Sequence, residues 1–427
     1  MTVLTDTTAL REACAKARRS RYVTIDTEFV RETTYWANLC LVQVASEDEL
    51  FAVDALAPEI DLGPLYDLLR DEAVLKVFHA ARQDMEIFVH EMGDVPRPIF
   101  DTQVAAMVCG FGDSVGYETL VTRLADVRLD KAQRFTDWSK RPLSPRQIAY
   151  ALDDVVHLRT VFEKLEASLN ETGRLGWLDE EMAVLTDART YRIEPDNAWK
   201  RLKPRSRNRH FLAMVRAIAA WREREAERRN VPRNRVIRDD LLLEMAAKPP
   251  HSADELGDVR GLSRRLGDTG EGKDLIAAIL EAERLPEAAL PLVEAEDPRL
   301  LGGPTPLGEL LRVLLKIKGH EHGVAPKLIA ASSELDQIAV MDEPDVPALK
   351  GWRYELFGKD ALALKEGRLG FAVKDNRLLL LHLDEQGAVA EALIRAAPHS
   401  SAPRPSRGRR GGGRRPRRQS PDASPAP

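Results

Sequence analysis

Residues 22–29, Tyr-Val-Thr-Ile-Asp-Thr-Glu-Phe, alternate polar and apolar positions with a period of two, which predicts a strand. Leu39–Val44 and Leu50–Val53 follow at short spacing and predict a three-strand meander with it. Ile60–Arg70 changes to a helical period, with Leu62, Leu65, Leu68 and Leu69 on one side. Val74–His79 reads as a further strand and Gln83–Glu91 as a helix, and helical patterns then run from Asp101 to Leu169. A meander followed by strand–helix alternation implies a mixed α/β sheet covered by helices.

Beyond Pro204 the strand signals fade. Residues 207–285 predict four or five helices, broken at Asn230-Val231-Pro232 and Lys248-Pro249-Pro250. Pro286–Pro304 has the composition of a linker, and a second helical block runs from Leu307 to Leu383. At its end two short apolar runs flank Lys374-Asp375-Asn376-Arg377, the pattern of a short hairpin. From Ser400 the chain is Ser, Pro, Gly and Arg, with eight arginines between Arg404 and Arg418 against the single Asp422. That stretch offers no core and predicts a disordered basic tail.

Composition changes this picture little. A length of 427 residues is too great for one ordinary core, and 44% hydrophobic with 31% charged residues suits a soluble globular protein. Cys14, Cys40 and Cys109 have no paired spacing, which speaks against a zinc site or a disulfide framework. No apolar run reaches the length of a membrane span and no signal region opens the chain, so the expected location is cytoplasmic. The net charge of −5 does not itself call for nucleic acid, but Lys200, Arg201, Lys203, Arg205, Arg207 and Arg209 form a run without an acidic residue. Such a run suits a polyanion, or a solvated linker.

The candidate chemistry lies in the first domain. Asp26 and Glu28 are two apart on one strand, so both carboxylates face the same way. Like charges side by side need compensation, for which a hard divalent cation is one source and exposure to water another. Asp84 opens a predicted helix, where Asp also serves as a cap. Tyr150 and Asp154 are four apart on a helix starting near Ser144-Pro145, which puts phenol and carboxylate on one face, with Asp153 rotated away.

Asp-x-Glu on the first of these strands, an Asp after a later strand, and Tyr-x-x-x-Asp on a late helix together resemble the DEDD exonuclease superfamily, in its tyrosine-bearing branch. The flanks Phe78-His79-Ala80-Ala81-Arg82-Gln83-Asp84, Phe100-Asp101-Thr102-Gln103 and Asp137-Trp138-Ser139-Lys140-Arg141-Pro142-Leu143-Ser144 resemble the ribonuclease D family in particular, over residues 20 to 165. The resemblance implies a ribonuclease H-like fold and metal-dependent release of 5′-mononucleotides from RNA 3′ ends, with precursor tRNA as the family's usual substrate. It implies Asp26, Glu28, Asp84 and Asp154 as ligands of two Mg²⁺ or Mn²⁺ ions, Asp26 bridging them, and Tyr150 as the residue that orients the attacking water.

Around these five, Thr27 and Phe29 are candidates for contact with the terminal nucleotide or for core packing. His79 is a candidate base or a strand-end packing residue. Gln103 and Trp138 are candidates for lining the RNA path, Trp138 equally for anchoring the core, and Lys200, Arg201 and Lys203 for phosphate contacts. Trp221-Arg222-Glu223-Arg224-Glu225-Ala226 with Asn230-Val231-Pro232-Arg233 resembles the HRDC domain, a helical nucleic-acid-binding module, and Gly351-Trp352-Arg353-Tyr354-Glu355 a second, divergent copy. The expected organisation is an exonuclease domain at 1–200, all-α HRDC-like domains at 207–287 and 304–385, and the basic tail at 400–427. No obligate protein partner is called for. A DNA exonuclease of the same superfamily and an inactive nucleic-acid-binding scaffold are the rival readings. The metal ligands alone do not tell RNA from DNA, whereas a dead scaffold is expected to have lost a ligand. A P-loop helicase is excluded by the lack of G-x-x-x-x-G-K-[ST].

Overall fold

The computed structural model describes residues 2–393 except 131, 203, 205, 207, 293–304, 376 and 384–388. They fall into two compact units divided after Leu369. The first is built on a six-stranded sheet of order β1-β4-β3-β2-β5-β6, from β1 (Thr2–Leu4), β2 (Tyr22–Val30), β3 (Asn38–Ala45), β4 (Leu50–Asp54), β5 (Leu75–Phe78) and β6 (Ile99–Asp101). β2, β3 and β4 form the predicted antiparallel meander, while β1 joins β4, β5 joins β2 and β6 joins β5 in parallel. The mixed sheet matches the expected α/β fold. β1 and β6 have no counterpart in the sequence pattern, because three residues are too short for an alternation to register.

Alternation along β2 decides where the carboxylates point. Val23 and Ile25 are fully buried against α1 (Thr7–Ala17), α2 (Gly63–Arg70) and α3 (Arg82–Met92), with Leu10, Leu65, Leu68, Met85 and Phe88. Full burial of each such side chain contributes about 1.5–3 kcal/mol. Thr24 faces the other side, where its hydroxyl donates to the Val155 carbonyl at 2.8 Å. Val155 lies on the long helix α6 (Pro145–Glu171), which covers that face. Asp26 and Glu28 continue the face of Thr24, and Thr27 and Phe29 that of Ile25. A Ser144–Gln147 capping box and Pro145 in the first turn start α6 where the sequence places it.

The helical expectation across 101–169 is corrected. α4 (Thr102–Val108) and the single turn α5 (Tyr117–Leu120), with the short π-helical turn Val121–Ala125 after it, are followed by an irregular stretch to Ser144. Between α4 and α5, Gly110 and Gly112 adopt positive φ, which no helix interior accommodates. Gly110 is also a close approach: a Cβ would lie 2.7 Å from the Gly323 carbonyl oxygen.

α7 (Asp179–Leu185) leads to α8 (Arg209–Arg228), α9 (Arg233–Val236), α10 (Asp239–Ala247), α11 (Ala253–Asp258) and α12 (Gly270–Glu283), which share one core around Ile218, Leu242, Leu275 and Ile279. This group is tied to the exonuclease sheet by a buried carboxylate. Glu223 takes two bonds from Arg233, at 2.6 and 2.5 Å, and one from the Tyr35 hydroxyl. Asn230 accepts from the Tyr35 and Trp36 amides at 3.0 and 3.2 Å. The next group comprises α13 (Pro306–His322), α14 (Pro326–Ile329), α15 (Ser332–Val340), α16 (Gly351–Arg353) and α17 (Lys359–Lys365). Its Trp352 stacks on Trp177 at 4.4 Å and 3°, and Arg353 pairs with Glu180 and Glu181.

The expected hairpin is present as β7 (Leu369–Lys374) and β8 (Arg377–Leu383), and β9 (Val389–Leu393) completes an antiparallel pair with β8, so the 304–385 block is not purely helical. The basic tail lies outside the described residues.

Candidate active site

Asp26, Glu28 and Asp154 each present an oxygen, and the three oxygens lie within 4.8 Å of one another. β2 supplies the first two and α6 the third, so the cluster sits between the sheet and the helix that covers it. Asp84 stands outside that set. It approaches from the first turn of α3, where its Oδ1 accepts from the Thr27 hydroxyl at 2.5 Å. Thr27, offered by the sequence as a nucleotide contact or a core residue, therefore points away from Glu28 and positions a carboxylate.

The turn that delivers Asp84 is itself held. Ala80 adopts φ +59, a left-handed conformation costing an alanine roughly 1–2 kcal/mol. Asp101 secures it, accepting from the Ala80 and Ala81 amides at 3.0 and 2.9 Å and from the Gln103 amide at 2.8 Å. One carboxylate thus fixes the start of both α3 and α4.

Burial and mutual repulsion dominate the electrostatics. Burial, then Asp154, Asp84 and Glu28, push the Asp26 carboxyl well above its ordinary 3.8. Burial with Asp154 and Asp84 takes Glu28 to about 9. Burial takes Asp84 to about 7 against the opposing Thr27 hydrogen bond, and Asp154 to about 7 against that from Tyr150. Like-charged buried groups are held together only when protons or cations neutralise them. An all-oxygen donor set of this kind fits a hard divalent cation. Tyr150 is pushed above the usual phenol range by burial, then by Asp154, Glu28 and Asp26, so its hydroxyl keeps its proton and acts as a donor.

A cavity of about 350 Å³ opens onto this cluster, lined by Asp26, Tyr150, Asp154, His79, Gln103, Tyr117 and Arg134 among others. Asp153, one residue from the cluster and predicted to point elsewhere, also lines it. His79 Nδ1 lies 3.0 Å from the Thr102 hydroxyl, which donates to the Phe78 carbonyl. With that proton committed, the hydroxyl accepts from Nδ1–H, and burial lowers the His79 pKa, so the ring is neutral at pH 7. Gln103 Nε2 donates to the Val115 carbonyl at 3.1 Å.

The remaining candidates fall elsewhere. Phe29 packs on the α1–α3 core. Trp138 is 3% exposed, packed with Cys40, Leu41 and Leu152 and 6.1 Å from the Tyr150 ring, so it anchors the core instead of lining an RNA path. Lys200 is exposed on a short 3-10 helix, and Arg201 lines a separate cleft with Arg31, Tyr35 and Arg233. Lys203 lies outside the described residues. The Asp137–Ser144 stretch is scaffold: Arg141 donates twice to Asp54 at 2.7 Å and to the Cys40 and Trp138 carbonyls, stapling the approach to α6 onto the sheet. Tyr117 and Arg134 are cavity residues that sequence reasoning missed, because both lie where no periodicity marks a face. Asp101 was visible only as part of a flanking motif.

Residues 1–170 match the 3′–5′ exonuclease family, and residues 211–279 match the HRDC domain. Fold and site thus define a 3′–5′ exonuclease carrying an appended HRDC domain. Ribonuclease D of Granulibacter bethesdensis is 53% identical over 382 residues, covering 89% of this chain and 96% of its own. That of Gluconacetobacter diazotrophicus is 51% identical over 379 residues, covering 88% and 95%. The crystal structure of Escherichia coli RNase D, described as an exoribonuclease involved in structured RNA processing, superposes with a TM-score of 0.73 at 31% identity, over 86% of this chain and 99% of that one. The chain belongs to the ribonuclease D family, and it is a 3′→5′ exoribonuclease.

Proposed function

We propose that Asp26, Glu28, Asp84, Tyr150 and Asp154 form the catalytic centre, and that precursor tRNA 3′ ends are among its substrates. The observation that carries the assignment is the close set of Asp26, Glu28 and Asp154 oxygens, whose buried negative charge is shared with Asp84. The four carboxylates would hold two divalent ions, Mg²⁺ or Mn²⁺, with Asp26 shared, Glu28 and Asp154 completing one site and Asp84 serving the other. Bound there, the ions would activate a water and stabilise the leaving 3′-oxygen.

The chain's own residues supply the rest. Tyr150 keeps its proton and donates it in a hydrogen bond to Asp154, so its oxygen would orient the attacking water by accepting a hydrogen bond from it. Water adds to the phosphorus of the last phosphodiester, the 3′-oxygen of the preceding nucleotide departs with a proton, and a 5′-mononucleotide leaves. His79, Tyr117 and Gln103 wall the cavity that receives the terminal nucleotide. The description of the E. coli relative as a processor of structured RNA supports a folded precursor as substrate. The domain division that accompanies this function is 1–200 for catalysis, HRDC-like modules at 207–287 and 304–385 for RNA engagement, and a phosphate-binding tail at 400–427.

Asp26→Asn and Asp154→Asn test the centre. Each is expected to lower nuclease activity by about 10²–10³-fold, on the order of what one catalytic electrostatic group supplies, while RNA binding by filter retention persists. A wild-type-like rate in either variant overturns the assignment.

A further inference from the structure

Phe135 is 92% exposed, the highest value among the large apolar side chains of the described residues. Its neighbours are fixed. Thr136 accepts from Gln147 Nε2 of α6 at 3.1 Å, and Trp138 is buried beside Tyr150. The ring is thus displayed from an anchored stretch of chain, next to the helix that carries Tyr150 and Asp154. The Arg134 guanidinium lies 5.3 Å from the Phe135 centroid, and Arg134 also lines the catalytic cavity with Tyr150 and Asp154. An exposed aromatic beside a cation, flanking a site that cleaves single-strand ends, has the chemistry of a nucleobase platform: the ring offers a stacking face for any base, and the guanidinium meets phosphate or a π-face.

We propose that Phe135 stacks on one base of the single-stranded RNA 3′ region outside the catalytic cavity, with Arg134 guiding the adjoining phosphate towards it. The inference rests on the exoribonuclease activity of the site and adds a residue that sets how the substrate is held. Stacking on Phe135 is sequence-tolerant, because every base has a π-face. It acts before the chemical step, so its loss changes KM and leaves kcat nearly intact.

The test uses 5′-labelled single-stranded RNA in which an abasic ribose is moved one position at a time through the 3′-terminal nucleotides. Phe135→Ala is expected to raise KM roughly tenfold on intact RNA with kcat within about twofold, in line with the loss of one base–aromatic stack. Phe135→Trp is expected to restore the KM, and its added indole emission to be quenched by RNA. In the wild type one abasic position raises KM to a similar extent, and in Phe135→Ala that position adds nothing more. Unchanged KM in Phe135→Ala, or full additivity at every position, overturns the proposal. Failure of the wild type to degrade intact RNA would instead count against the exoribonuclease activity itself, and it shows before any variant is compared. An unaltered Tm for Phe135→Ala, expected for so exposed a side chain, separates loss of stacking from misfolding.

Discussion

At Asp26 three other carboxylates, from Glu28, Asp84 and Asp154, press on one buried oxygen pair. In the metal-free protein this crowding costs stability, and that cost makes a prediction opposite in sign to the usual effect of an active-site substitution. Asp154→Asn removes one charge from the set without changing its shape. Relief of about 1 kcal/mol is expected to raise the Tm of the metal-free protein by about 2–4 °C, read by calorimetry in EDTA, while activity is lost. A lowered Tm would mean that Asp154 is stabilised by partners other than its acidic neighbours. Tyr150→Phe keeps the ring against Trp138 and deletes only the hydroxyl that bonds Asp154. Its kcat is expected to fall by about 10²-fold with KM little changed, and an unaltered kcat would remove Tyr150 from the catalytic assignment.

At the scale of elements, the site depends on how β2 and α6 are held together. Thr24 joins them directly through the Val155 carbonyl, and the Arg141–Asp54 pair ties the approach to α6 onto the end of β4 in the same sheet, with Asp54 only 10% exposed at its side chain. Arg141→Ala strands this carboxylate and frees the approach to α6. A loss of about 1–3 kcal/mol is expected in denaturant titration, with a fall in kcat as Tyr150 loses its fixed bearing. Normal stability would place the staple's contribution elsewhere. The sequence showed β2 and the start of α6 clearly, because alternation over eight residues, broken only at Thr27, and a Ser-Pro-x-Gln start are strong local signals. Both bear candidate side chains, so the placement of Asp26, Glu28, Tyr150 and Asp154 on those elements was legible, and it was the resemblance that implied one site. The walls were not legible. Tyr117 and Arg134 come from stretches between glycines and short turns, where their direction is set by tertiary packing alone. The role of Thr27 was hidden for another reason: alternation assigns it to the core face, and only the path of α3 around Ala80 brings Asp84 to its hydroxyl. Trp138 was ambiguous because a motif beside a catalytic helix serves equally as anchor or as wall.

At the scale of the whole molecule, protons and cations compete for the same oxygens. Folding without metal raises the carboxyl of Asp84 and Asp154 from 3.8 to about 7, and that of Glu28 from 4.5 to about 9. The folded chain therefore holds more protons than the unfolded one between about pH 4 and those higher values. Stability of the metal-free protein falls as pH rises through that window. Cations displace those protons, so Mn²⁺ affinity is expected to rise with pH from 6 to 8, with proton release on binding. Calorimetric titration in buffers of different ionisation enthalpy measures both, and a pH-independent affinity would contradict the buried-carboxylate description. The arginines between Arg404 and Arg418 are proposed to meet phosphate at longer range. Removal of 400–427 is expected to flatten the dependence of log RNA affinity on log salt concentration by up to about 0.7 per lost phosphate contact on a single strand, and an unchanged slope would show that the tail makes none.

Metal-dependent removal of nucleotides from RNA 3′ ends is the activity that fold and carboxylates together support. It meets its most direct test when 5′-labelled RNA and DNA oligomers with matched 3′ ends are digested with Mg²⁺, with Mn²⁺ and in EDTA. A ladder that shortens from the 3′ end, on RNA and only with a divalent ion, is the predicted result. Internal cuts, a preference for DNA, or undiminished cleavage in EDTA would contradict it.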